Sequence, residues 1–116
     1  MDDSSITGGA VRELRSVPRA PLKKYARLAI ANGTAMDVRT ADISAGGMGV
    51  IADSPLIPGQ SCLIQFEIHS DNRKQLMSMR GTVVFCLFTD TEGFRIGIRA
   101  SHVDPDLIQH IHWLLQ

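Results

Sequence analysis

From Arg27 to Ser101 the chain repeatedly alternates apolar with polar side chains, and clusters of Gly, Pro, Asn and Asp punctuate the runs. A period of two puts one face of a strand in a core and the other in water, so a helical domain is excluded over most of the chain. The clearest run has Cys62, Ile64, Phe66 and Ile68 alternating with Ser61, Leu63, Gln65, Glu67 and His69. Before it, Leu28 and Ile30 alternate with Arg27 and Ala29, and Asn32-Gly33 predicts a type I′ hairpin turn. The return strand, residues 35–41, delivers Asp42, and Met48, Val50 and Ile51 open a third strand that Pro55, Pro58 and Gly59 end. Beyond the polar turn Asp71-Asn72-Arg73-Lys74, a long strand places Met77, Met79, Val83, Phe85 and Leu87 on one face and Ser78, Arg80, Thr82 and Val84 on the other. Gly81 marks a bend or bulge in it. In the last strand Phe94, Ile96, Ile98 and Ala100 alternate with Arg95, Gly97, Arg99 and Ser101. Six strands with short turns predict a mainly all-β fold, a six-stranded antiparallel barrel, because closure removes exposed edges.

A helix over residues 104–116 closes the chain. Asp104 suits the N-cap, Pro105 the first helical position, and Asp106 the positive end of the dipole. Leu107, Ile108, Ile111, Leu114 and Leu115 form one apolar stripe, to lie across the barrel or against another protein.

With 116 residues there is room for one core. Residues 1–11 are small, polar and glycine-containing and read as a disordered leader. Residues 12–21 form an arginine-bearing arm, which Pro18 and Pro21 keep out of a continuous helix, so Arg15 and Arg19 are not a helical i,i+4 pair. Residues 22–103 are the barrel. Twelve basic and twelve acidic residues cancel, so no global field draws the protein to nucleic acid or an anionic membrane. The cations are nevertheless uneven, with Arg12, Arg15, Arg19, Lys23, Lys24 and Arg27 crowded into residues 12–27 against Glu13 alone. Cys62 and Cys86 lack metal or redox spacing and fit a reducing, cytoplasmic setting. The apolar runs are too short to span a membrane.

The stretch Asp42-Ile43-Ser44-Ala45-Gly46-Gly47-Met48-Gly49 concentrates a carboxylate, a hydroxyl and glycines at a turn. Asp42 and Ser44, two apart on extended backbone, point the same way, while Gly46, Gly47 and Gly49 permit positive φ and close approach of backbone N–H groups. Taken alone, the loop is better explained by a tight hairpin whose Asp and Ser bond their own backbone than by an anion- or base-reading loop.

Arg15-x-x-x-Arg19 followed by Asp42-x-Ser44-x-x-Gly47 resembles the paired signature of the PilZ domain, a bacterial receptor for the second messenger cyclic di-GMP. The resemblance covers residues 12 to 116. It implies a PilZ-type barrel and a ligand-binding set of Arg15, Arg19, Asp42, Ser44, Gly46 and Gly47, with no further cofactor and no metal. Many members carry a third Arg before the pair. Here Leu14 occupies that position and Arg12 lies two residues back, which the resemblance reads as favouring one ligand over a stacked pair. Arg95 is the preferred extra contact ahead of Arg80 and Arg99.

The chemistry fits the residue types. A guanidinium grips phosphate oxygens or guanine O6 and N7 with two parallel bonds and stacks on a purine. A carboxylate at Asp42 is a double acceptor for the adjacent N–H donors of guanine's Watson–Crick edge. The leading reading is therefore a receptor that relays cyclic di-GMP to a downstream protein by closure of the arm, its output leaving through a surface. A non-binding adaptor is the alternative, and a nucleic-acid module using the basic arm is weaker, with one Trp, one Tyr and four Phe mostly at core positions. An enzyme is not expected. Ser44 lacks a nucleophile elbow, Asp42 is too near it for a bridging His, and the four His residues have no metal-ligand spacing.

Overall fold

The computed structural model describes residues 19–70 and 72–115. Expectations for residues 1–18, including the leader, Arg12, Leu14, Arg15 and Pro18, lie outside them. Seven strands and one helix follow in chain order: β1 Ala20–Pro21, β2 Tyr25–Ile30, β3 Ala35–Ser44, β4 Gly47–Ala52, β5 Ser61–Ser70, β6 Arg73–Thr89, β7 Gly93–Val103 and α1 Pro105–Leu114. All pairings are antiparallel. Strand β3 pairs with β2, β2 with β5, β5 with β6, β6 with β7, β7 with β4, and β4 with β3 again. The expected six strands thus hydrogen-bond in a closed cycle, which leaves no long edge for another chain to pair with.

The core follows the alternation. Leu28, Ile43, Met48, Val50, Ile64, Ile96 and Ile98 are fully buried inside the cycle. The Cys62 thiol shares this core, and burial pushes its pKa up to about 11, so it behaves as a small apolar side chain. Helix α1 lays Leu107 and Ile111 into the core, with Leu114 packed beside them. Ile108 and Leu115, expected on the same stripe, are 48% and 40% exposed, because the barrel end is covered by less than the full stripe. Asp104 occupies the N-cap without a side-chain capping bond. Asp106 instead accepts from Gln75 Nε2 at 2.8 Å and fastens the helix to β6.

Several local expectations change. The β2–β3 hairpin exists, but Gly33 has φ 95° while Asn32 does not take positive φ, so the turn is not type I′. Gly33 N–H donates to Ile30 O at 2.9 Å and Ile30 N–H to Thr34 O at 2.9 Å, the pattern of a three-residue loop ending in a left-handed glycine. In β6 the ladder slips between Val83 and Phe85. That slip reverses the faces, so Cys86 packs on the core and Leu87, expected beside Val83, is 58% exposed. Gly81 does lie at a register shift, where an added Cβ would meet the Arg99 carbonyl. A seventh, two-residue strand also appears within the expected arm. Ala20 pairs with Ile43 and Pro21 with Asp42, so the end of the arm is regular and docked rather than free through Pro21.

Candidate functional site on the β1, β3, β4 and β7 face

The site begins with a parity problem. Val38 and Thr40 face inward on β3, and strict alternation would send Asp42 into the core as well. The β3–β4 ladder shifts between Thr40 and Asp42, leaving Ala41 as an extra residue. Ile43 then becomes the inward residue with no exposure, and Asp42 turns outward with its side chain 24% exposed. A bulge beside a site commonly re-aims a side chain in this way.

Thr40 fixes the approach of the arm. Its hydroxyl donates to Leu22 O at 2.6 Å and accepts from Lys24 N–H at 2.9 Å. Leu22 N–H donates to Ala41 O at 3.1 Å, and Thr40 N–H to Lys24 O at 2.8 Å. These bonds run residues 20–24 along β3 and bring Arg19 to Asp42, with which it forms an ion pair and a hydrogen bond at Asp42 Oδ1. Gly49 N–H also donates to Oδ1, at 3.2 Å. Arg95 Nη2 lies 3.5 Å from Oδ2. The carboxylate therefore sits between two partly exposed guanidiniums and a buried backbone donor.

The glycines serve close approach rather than left-handed backbone. Gly46, Gly47 and Gly49 do not take positive φ. A Cβ on Gly49 would stand 2.9 Å from Asp42 Oδ1, so only glycine lets the carboxylate lie over β4. In register with it, Asp42 faces Gly49 and Gly49 faces Gly97, so neither β4 nor β7 sets a side chain of its own in this row. The Phe85 ring covers Gly97, whose Cβ would collide with it. Ser44 is fully buried. Its hydroxyl accepts from Gly46 N–H at 3.1 Å and donates to Gly47 O at 3.4 Å, which holds the two-residue turn Ala45-Gly46.

A model of the PilZ domain matches residues 13–116. The chain belongs to the PilZ domain family. Two solved structures share the fold. The inhibitor of motility MotI/DgrA of Bacillus subtilis superposes with a TM-score of 0.71 at 16% identity, over 88% of this chain and 48% of that one. The PilZ domain of YcgR from Escherichia coli, solved with c-di-GMP, superposes with a TM-score of 0.62 at 14% identity, over 85% of this chain and 86% of that one. This PilZ domain thus spans about half the length of the Bacillus protein. No curated protein matches its sequence.

Of the residues expected to form the site, Arg19, Asp42 and Arg95 are brought together around one carboxylate. Ser44, Gly46 and Gly47 lie in the adjoining turn. Arg12, Leu14 and Arg15 lie outside the described residues. Sequence reasoning missed Thr40, whose role depends on the arm folding back over it, and Gly97, whose closeness to Asp42 depends on the β4–β7 register. Among the described residues no helix is long and apolar enough to cross a membrane.

Proposed function

We propose that this PilZ domain is a cytoplasmic receptor for cyclic di-GMP, using Arg15 and Arg19 of the arm with Asp42 and the Ser44 to Gly47 turn, and that it relays binding to a partner protein. The observation that carries this reading is the ion pair between Arg19 and Asp42, which unites the two halves of the motif at one point. A carboxylate has about four lone-pair sites, so Asp42 can accept from guanine N1–H and N2–H while retaining Gly49 N–H and Arg95. Arg19, released from Oδ1, is then within reach of phosphate oxygens or the guanine O6 and N7 edge, where a planar guanidinium forms two parallel bonds.

Ser44 supports the site through the turn backbone, so the hydroxyl positions Gly46 and Gly47. The same engagement speaks against a nucleophile and favours a receptor over an enzyme. Residues 20–24 are bonded along β3, so this end of the arm is already in place beside Asp42. Three or four charge-assisted hydrogen bonds, at about 1.5–3 kcal/mol each, support micromolar or tighter binding after the ordering cost.

The test is titration of the purified protein with cyclic di-GMP, using cyclic di-AMP, linear pGpG and GTP as controls. Saturable binding with much weaker binding of cyclic di-AMP is expected. Equal affinity for cyclic di-AMP would remove the guanine-edge role of Asp42. No binding at all would leave the non-binding adaptor.

A further inference from the structure

Five residues stand opposite one another on consecutive strands: Tyr25 pairs with Arg39, Arg39 with Ile51, Ile51 with Arg95, and Arg95 with Leu87. Directly opposed residues of a ladder share a face. Their chain neighbours Ala26, Val38, Val50 and Ile96 belong to the core, so the five form one outward row across β2, β3, β4, β7 and β6. With strands about 4.8 Å apart, the row is about 19 Å long.

Its chemistry alternates apolar with cationic. Tyr25 is 84% exposed and Leu87 58%. Ile51 is buried, at 7% exposure, and helps floor a surface hollow of about 350 Å³. Lys23, Lys24 and Arg39 line the same hollow, with Glu92 as the acidic side chain there. Lys23, Lys24 and Arg39 thus outnumber Glu92 on one strip of a protein whose total charge is zero, while Arg95 beside them faces Asp42. Single exposed apolar residues are ordinary, but an ordered row interleaved with cations is a patterned surface.

We propose that this strip docks an acidic segment of a partner protein that carries apolar side chains between its carboxylates. The local excess of positive charge sets the sign of the partner and steers its approach. The Ile51 floor, with Tyr25 and Leu87 at the two ends, supplies apolar anchors that a phosphate backbone would not complement, which favours a protein over a nucleic acid. The proposal stands on the register and charge of the strip and does not depend on cyclic di-GMP binding. Arg95, 3.5 Å from Asp42, places the strip directly beside the candidate ligand site.

The test titrates the full chain, observed by amide and methyl resonances, with a short soluble peptide of Glu-Leu-Asp-Phe repeats. The comparison probes are the same peptide with Lys for each acid, an oligo-glutamate and a single-stranded oligonucleotide. Saturable shifts centred on the Ile51 and Leu87 methyls and the Tyr25 ring are expected, with oligo-glutamate about tenfold weaker and the Lys peptide inactive. Arg39→Glu should weaken the acidic peptide about tenfold or more, and Leu87→Ala, at an exposed position, should weaken it with the amide spectrum otherwise unchanged. Lys74→Glu, at the exposed start of β6, should leave it unaffected. Shifts elsewhere or none, equal binding of the Lys peptide, equal loss with Lys74→Glu, or displacement by the oligonucleotide would each overturn the proposal.

Discussion

Arg19 and Asp42, 23 positions apart in the chain, form an ion pair because two-residue strand β1 pairs Pro21 directly with Asp42. Both side chains remain about a quarter exposed. Such a pair contributes little net stability, since water screens it, but it fixes where each group stands. The pair is better understood as positioning than as a fold fastener.

Gly49 controls that position. In Gly49→Ala the new Cβ, 2.9 Å from Asp42 Oδ1, displaces the carboxylate, the mobile end of a short side chain. The expected stability loss is about 1 kcal/mol or less, whereas cyclic di-GMP affinity should fall at least about tenfold. Thermal unfolding and ligand titration of the same variant separate the two effects.

Gly97 answers to packing instead. An added Cβ there meets the Phe85 ring, which lies over Gly97 and must move aside. Gly97→Ala should therefore cost about 1–3 kcal/mol, measured by denaturant unfolding, and Gly97→Ala with Phe85→Leu should recover part of it.

Much of this architecture is legible in the residues. The alternation of β5 is unbroken and that of β7 holds as far as Ala100, and both strands bury the apolar half as expected, with Cys62, Ile64, Phe66, Ile68, Ile96 and Ile98 inside. Gly81 announced one register shift, but the other two escaped because one extra residue leaves no local mark. Nothing within Thr40-Ala41-Asp42 announces that Ala41 lacks a partner, and the slip after Val83 is defined only against β7. The Asn32-Gly33 pair fixed the position of a turn, while its type depended on loop length. The motif residues were visible in order, yet the neighbourhood of Asp42 with Arg95, Gly49 and Gly97 needs the registers of β3, β4 and β7. The row from Tyr25 to Leu87 is likewise a product of register.

His110 supplies a pH signature. Burial against the barrel and then the charge of Lys24 lower its pKa from 6.5, and its ring stacks on Trp113 with centroids 5.8 Å apart. The folded state thus disfavours the imidazolium relative to the unfolded chain. Above pH 6.5 the residue is neutral in both states and imposes no penalty; as pH falls through 6.5 and then through the lower folded value, the penalty develops and stability drops. Melting temperature should decline over that range, and His110→Gln should flatten the decline.

The proposed joint hold of Arg19 and Asp42 on cyclic di-GMP is read out by calorimetric titration of the wild type, Arg19→Ala and Asp42→Ala. Each single substitution should weaken binding by about a hundredfold or more while unfolding free energy stays within about 1 kcal/mol, and Arg19→Lys should restore little, because an ammonium lacks the planar double grip. Wild-type affinity in both alanine variants would remove Arg19 and Asp42 from the binding site.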